Sequence, residues 1–103
     1  SRRDYTYVGD IVEGIVKCLD KKLGYEIINL GNNHPVSLNE FIETLERITG
    51  KKANIRETPM QEGDVDVTYA DIAKAKKLLG WEPHVSFEEG IQRFVEWYKT
   101  NRL

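Results

Sequence analysis

The stretch Arg-Asp-Tyr-Thr-Tyr-Val at residues 3–8 decides the fold, because it leads directly into a helical pattern. Apolar residues recur at helical spacing from Val8 to Leu19, which predicts an amphipathic helix over residues 8–20. The run at residues 3–8 places charged and aromatic side chains at the start of the chain, where most domains have loosely tethered residues. We therefore expect this chain of 103 residues to be a piece of a longer protein.

A strand, a helix and a second strand are predicted next. Residues 25–30 form a short β-branched run, and residues 53–58 form another that stops at a proline. Between them, Ser37 and Glu40 have the spacing of a capping box, and Gly50 is placed to end the helix that it opens. This order predicts a right-handed crossover with the two strands parallel and adjacent.

Two more helices complete the predicted fold. Asp71 caps one helix, which Gly80 ends, and a second capping box at Ser86 opens the last helix. The apolar face of that last helix is predicted to be buried and comprises Phe87, Ile91, Phe94, Val95 and Tyr98. The fold class is therefore α+β, a small sheet with a parallel strand–helix–strand unit covered by about four helices.

Composition excludes several classes of protein. A formal net charge of −2, with 40% hydrophobic and 31% charged residues, indicates a soluble globular domain without the basic footprint of a nucleic-acid or membrane-surface binder. No apolar stretch approaches the ~20 residues that span a bilayer. A single Cys18 excludes an intramolecular disulfide and favours a reducing, cytoplasmic location. Cys18, His34 and His84 are too scattered to predict a zinc site.

The segment 59–68 is longer than an ordinary connection between a strand and a helix. Gly63 allows close approach of the backbone to a ligand, and the Asp64 carboxylate is suited to hydrogen-bonding a ribose diol. The alternative is a surface loop in which these two residues form a turn. Asp64 and Asp66 without further ligands do not predict a metal site.

Two interpretations of Arg3 and Tyr5 also stay open. The guanidinium of Arg3 presents donors that match phosphate oxygens, and Tyr5 offers a ring for a base or a sugar. In the structural alternative, Arg3 pairs with Asp4 or caps a helix, while Tyr5 and Tyr7 alternate along an edge strand.

The chain lacks two signatures of hydride-transfer enzymes. Its glycines form no dinucleotide-binding fingerprint, and no tyrosine has a lysine four residues later. We therefore expect no catalytic and no cofactor-binding residue in this chain. Alone, it is predicted to bind no NAD and to be inactive.

Short motifs occur in a fixed order along the chain: Arg3 to Val12, Asn29-Leu30-Gly31, Pro35 to Leu38, Gly63-Asp64-Val65, Thr68 to Asp71, Lys74-Ala75, Leu79 to Pro83 and Phe87 to Ile91. This series resembles the extended short-chain dehydrogenase/reductase superfamily of nucleotide-sugar epimerases and dehydratases, which are Rossmann enzymes. Within it, residues 60–65 look most like those of UDP-glucuronate 4-epimerases, because UDP-galactose 4-epimerases generally carry an arginine in place of Gln61.

This resemblance implies that residues 1–103 are the C-terminal substrate-binding domain of an NAD-dependent epimerase, without its N-terminal NAD-binding Rossmann domain. It implies that Arg3 holds the UDP pyrophosphate and that Tyr5 lines the nucleotide pocket. Asp64 would accept hydrogen bonds from the ribose hydroxyls, with Gly63 giving the backbone room. Gln61 would donate a neutral hydrogen bond on the phosphate side.

In the full-length enzyme that the resemblance implies, bound NAD oxidises and then reduces C4 of the sugar, and this domain anchors the UDP. The implied partners are the UDP-sugar, the cofactor domain and a second subunit of a homodimer. Two alternatives remain within the superfamily, a UDP-glucose 4-epimerase and a nucleotide-sugar 4,6-dehydratase. A third is a stand-alone binding module without catalytic activity. We also expect the apolar face of residues 8–19 to be exposed when the cofactor domain is absent.

Overall fold

The computed structural model describes residues 2–54, 56 and 70–101. The four helices predicted from periodicity and capping are confirmed within this part of the chain. In chain order the elements are β1 (Arg2–Arg3), α1 (Val8–Leu19), β2 (Val36–Ser37), α2 (Leu38–Thr49), α3 (Ala73–Leu79) and α4 (Phe87–Asn101). None of the described helices combines the length and the apolar character that crossing a bilayer requires.

The described sheet differs from the predicted one. It is the antiparallel pair β1 and β2, in which Arg2 lies opposite Ser37 and Arg3 lies opposite Val36. The strand predicted at residues 25–30 is wrong for this part of the chain, because that segment has no regular element. Residues 53, 54 and 56 are likewise irregular, and the rest of the strand predicted at 53–58 lies outside the described residues.

The β-branched composition of residues 25–30 has a different cause. Ile28 and Leu30 pack against the buried core, whereas Tyr25 and Ile27 are largely exposed. The alternation therefore reflects burial of one side of an extended segment, and such a segment is a strand only when a neighbour pairs with it. The parallel unit is absent from the described chain for that reason.

Local hydrogen bonds explain where the longer helices begin and end. The hydroxyl of Ser37 accepts the backbone N–H of Glu40 at 3.1 Å, and the hydroxyl of Ser86 accepts that of Glu89 at 3.2 Å. Gly50 ends α2 with φ of 70°, a left-handed conformation that glycine adopts without steric cost. The serine half of each predicted capping box is confirmed, and so is Gly50 as the end of α2.

Helix α3 begins slightly later than its predicted cap suggests. Ile72 flanks the helix and makes no side-chain cap. Asp71 instead accepts the backbone N–H of Ala73 at 3.1 Å, so it stabilises the start of the helix from one position further away. Gly80 ends the helix with φ of 64°, as the sequence predicts.

The described apolar core consists of two groups of side chains. Ile72, Ala75, Leu79 and Trp81 are buried between α1 and α3, and Cys18, Leu23, Ile28 and Leu30 pack around them. The second group joins Tyr5 to α2 and α4 through the rings of Phe41 and Phe87. Together they leave the outer face of α1 uncovered.

Two helices expose large apolar surfaces. On α1, five apolar side chains are 49–80% exposed, as expected for the apolar face of residues 8–19: Val8, Val12, Ile15, Val16 and Leu19. On α4, the predicted buried face is only partly buried. Val95 is buried, but Phe94 and Tyr98 are about half exposed, because only one side of α4 packs against α2.

Candidate functional site

The run after β1 divides into two faces. Asp4 and Thr6 bond to the loop at residues 32–34, whereas Tyr5 packs on the rings of Phe41 and Phe87. Successive side chains of an extended chain point to opposite sides, so this division follows from the β-like geometry of the run. The edge strand of the structural alternative does not include Tyr5 or Tyr7, because β1 ends at Arg3.

Asp4 joins the N-terminal run to two remote segments. Its Oδ2 accepts the backbone N–H groups of Asn33 and Ala70, both at 2.9 Å, and its Oδ1 accepts that of His34 at 3.4 Å. An ionised carboxylate suits this arrangement because it only accepts hydrogen bonds and has about four lone-pair sites. Three chain segments consequently meet at a single side chain.

Close packing accompanies this junction. Thr6 Oγ1 accepts the backbone N–H of Asn32 at 3.1 Å. At Gly31, a Cβ atom would lie 2.5 Å from the Cβ of Ala70 and 2.9 Å from Oδ2 of Asp4, so any side chain there would force its neighbours apart. Gly31 therefore permits the close approach of these segments.

An open cavity of about 460 Å³ lies beside the junction. Asp4, Thr6, Leu30, Gly31 and Ala70 are among its lining residues, and neither Arg3 nor Tyr5 is among those described. The cavity is thus on the face of the run opposite to the Tyr5 ring.

Arg3 lies in the paired strand β1. It is half-buried in β1, opposite Val36, which is only 1% exposed, and its Nη1 donates to the carbonyl of Arg2 at 3.0 Å. Tyr5 lies further along the run, with ring centres 4.9 Å from Phe41 and 5.6 Å from Phe87. Arg3, predicted to contact phosphate, and Tyr5, predicted to line the nucleotide pocket, therefore lie two residues apart in the same run.

Gln61, Gly63 and Asp64 lie outside the described residues, so their roles stay predictions. Ala70 is the first described residue after them. Its bond to Asp4 fixes the point at which the chain returns from that segment.

Sequence analysis missed the role of Asp10. This residue is 3% exposed, and its two carboxylate oxygens accept the backbone N–H groups of His84 at 3.1 Å and Val85 at 3.0 Å. Its carbonyl accepts the indole N–H of Trp81 at 2.9 Å. The available signal was a carboxylate in the first turn of a largely apolar helix.

Tyr7 explains the glycine at position 9. A Cβ atom at Gly9 would lie 2.7 Å from Cε2 of the Tyr7 ring, so a larger residue would displace that ring. Arg93 lies on α4, and its guanidinium is 5.1 Å from the centre of the Tyr7 ring. Hydrogen bonding to Tyr7, followed by the charge of Glu89, raises the pKa of Arg93 above its usual value, and the guanidinium is a cation–π partner of the Tyr7 ring.

Comparison with known proteins gives the family. The family model for GDP-mannose 4,6 dehydratase matches residues 1–94. The UDP-glucuronate 4-epimerase of Thermodesulfobacterium geofontis is 55% identical over 100 residues, covering 96% of this chain and 31% of that protein. The chain thus spans about a third of the length of such curated relatives.

Solved structures agree with this result. The UDP-glucuronic acid 4-epimerase of Bacillus cereus, in complex with UDP-glucuronic acid and NAD, matches with a TM-score of 0.86 and 34% identity, over 94% of this chain and 32% of that one. The UDP-glucose 4-epimerase of Bifidobacterium longum, in complex with NAD+ and UDP, matches with a TM-score of 0.88 and 32% identity, over 95% and 30%. On these grounds the chain belongs to the NAD-dependent nucleotide-sugar epimerase/dehydratase family of short-chain dehydrogenase type.

Proposed function

We propose that this chain is the nucleotide-binding part of a UDP-sugar 4-epimerase, with UDP-glucuronate as its substrate. The observation that carries the proposal is the 2.9 Å bond between Asp4 and the N–H of Ala70. It brings the strand that carries Arg3 next to the chain that returns from the segment of Gln61 and Asp64. This bond supports a site to which both parts of the chain contribute, because Ala70 follows Asp64 by six residues.

In the proposed site, Arg3 makes charge-assisted hydrogen bonds to the pyrophosphate, and Tyr5 lines the nucleotide pocket. Asp64 accepts hydrogen bonds from the ribose hydroxyls, Gly63 leaves room for the nucleotide, and Gln61 donates on the phosphate side. Anchoring of the UDP holds the substrate while its sugar reacts, which is a contribution of binding and orientation.

The described residues do not fit NAD. Gly9 and Gly14 lie inside helix α1, and Gly14 packs against Leu30, so they form no phosphate-binding turn between a strand and a helix. We assign NAD binding and catalysis to the remaining two thirds of the enzyme. The exposed apolar face of α1 is the surface through which we propose that the two parts contact each other.

The test uses a chimera in which this chain replaces the matching residues of the Thermodesulfobacterium geofontis enzyme. UDP is titrated into the chimera and its variants by calorimetry. We expect Arg3→Ala to weaken UDP binding roughly 10- to 100-fold, since a hydrogen bond to a charged group contributes about 1.5–3 kcal/mol. Asp64→Ala should cost about 1–2 kcal/mol, because the ribose diol is neutral.

Equal binding of UDP by the chimera and both variants would reject the proposed site. Turnover of UDP-glucuronate by the chimera would support UDP-glucuronate as a substrate that this chain can hold, because the catalytic part of the chimera comes from the relative. A chimera that binds UDP but does not turn over UDP-glucuronate would count against UDP-glucuronate as the substrate. The chain alone should bind no NAD, and measurable activity of the chain alone would contradict the assignment of catalysis to the other part.

A further inference from the structure

Asp4 carries a second role that the proposed nucleotide contacts do not include. Its carboxylate is committed to the backbone N–H groups of Asn33, His34 and Ala70. These three bonds lie on the cavity face of the run. Tyr5, the next residue, packs on the opposite face, against Phe41 and Phe87.

The backbone of Arg3 is consequently fixed from two directions. On one side it pairs with Val36 in the small sheet, and on the other it is followed directly by Asp4. A long arginine side chain binds phosphate well only when its starting point is fixed, because ordering it at the moment of binding costs free energy. The two constraints supply that fixed starting point.

We propose that Asp4 is a positioning residue for nucleotide binding, which acts through Arg3 and does not itself touch the nucleotide. Its carboxylate fixes the backbone of the run from which the Arg3 side chain extends. This inference rests on the proposed function, because it requires Arg3 to contact the pyrophosphate.

Whether Asp4→Asn strengthens or weakens UDP binding distinguishes a positioning role from a purely electrostatic one. Replacing Asp4 by asparagine removes a negative charge near the proposed pyrophosphate site, which by charge alone would strengthen the binding of an anion. Loss of positioning has the opposite effect and weakens binding. Asparagine has one acceptor oxygen in place of two and adds an N–H₂ donor that faces backbone donors.

The experiment is a double-mutant cycle in the chimera, with UDP titrated into wild type, Arg3→Ala, Asp4→Asn and the double variant. We expect Asp4→Asn alone to weaken UDP binding roughly tenfold, as small misplacements of a binding group do. In the Arg3→Ala background the same change should have an effect of less than about twofold, because its target is already absent.

Asp10→Asn is the matched control. It makes the same chemical change in a carboxylate that also accepts two backbone N–H groups, those of His84 and Val85, but that lies in helix α1 and not beside Arg3. It should lower the unfolding free energy at least as much and change UDP affinity by less than about twofold. If Asp4 had a purely structural role, Asp4→Asn and Asp10→Asn would both lower the unfolding free energy and would both have the same effect on UDP affinity.

Gly31→Ala provides a second test if Asp4→Asn does not fold. Its added methyl group would lie 2.9 Å from Oδ2 of Asp4, so it disturbs the carboxylate without changing its charge. UDP binding should again weaken only when Arg3 is present.

The outcomes separate this inference from the proposed function. A chimera that binds no UDP, or an Arg3→Ala variant that binds UDP as tightly as wild type, rejects both. If Arg3→Ala weakens binding but Asp4→Asn and Gly31→Ala leave it unchanged or tighter, only the positioning role is overturned. Equal losses in the Asp4→Asn and Asp10→Asn variants also overturn it.

Discussion

Asp4 and Asp10 hold remote backbone in the same way but in different surroundings. Asp10 is 3% exposed and binds two adjacent amides of the segment before α4. Asp4 is half-buried, borders the 460 Å³ cavity and binds amides from two separate segments.

This difference in burial indicates different roles for the two aspartates. At Asp10, a closed junction attaches the first turn of α1 to Trp81 and the chain that follows it. At Asp4, the junction is open on one side, so water can reach part of it. We infer that the closed junction serves mainly the stability of the fold, and the open one serves mainly the geometry of the proposed site.

The largest expected effect is on stability at the closed junction. Asp10→Asn should lower the unfolding free energy of the chain by about 2–4 kcal/mol, because a buried N–H loses its acceptor and an added N–H₂ faces the donors. Urea unfolding followed by circular dichroism measures this cost. A loss below about 1 kcal/mol would contradict the view that Asp10 is the main junction.

Asp4→Asn should cost less, about 1–2 kcal/mol in the same measurement. The amides of Asn33 and His34 are bonded at the exposed side of the run, so water can satisfy them after the substitution. A cost equal to or greater than that of Asp10→Asn would remove the distinction between the two junctions.

Thr6→Val should have a smaller effect, about 0.5–1 kcal/mol. It removes the oxygen that accepts the N–H of Asn32, on the same face as Asp4, while keeping the shape of the side chain. A larger loss than for Asp4→Asn would show that Thr6, and not Asp4, holds the loop.

The smallest effect is expected at the rim of the closed junction. Glu13 lies 3.4 Å from His84, but both side chains are about half exposed, so Glu13→Gln should change the unfolding free energy by less than about 0.5 kcal/mol. This variant shows whether the cost of Asp10→Asn comes from the buried bonds or from the neighbouring contact between Glu13 and His84. If Glu13→Gln changed the unfolding free energy by about 2 kcal/mol or more, on the order of the cost at Asp10, the cost of Asp10→Asn would be assigned to the contact between Glu13 and His84.

The helices were predictable because their signals are local. Ser37 and Ser86 bond to N–H groups three positions later, and Gly50 and Gly80 stand where the helices end. The segment 25–30 was predicted less well. Its alternation reports burial against the core, whereas a strand also needs a partner, which residue types do not reveal.

The site was predictable only in part for the same reason. Arg3 and Tyr5 were identified from their chemistry and from a resemblance. The bonds of Asp4 and Asp10 reach amides between 29 and 75 positions away, so their roles depend on the folded chain. The half-exposed aromatics of α4 were misjudged because periodicity shows an apolar face but not how much of it a neighbour covers.

The alternation between Asp4 and Tyr7 also limits how the length of this protein can vary. One residue inserted between Asp4 and Asp10 would move the following side chains of the run to the opposite face, and would turn α1 by about 100° relative to it. In contrast, Gly24 has a φ of 67° and open space around it, so the turn that it forms can accept additional residues. Homologous chains should therefore differ in length at residues 20–25 and keep a constant number of residues between the two aspartates.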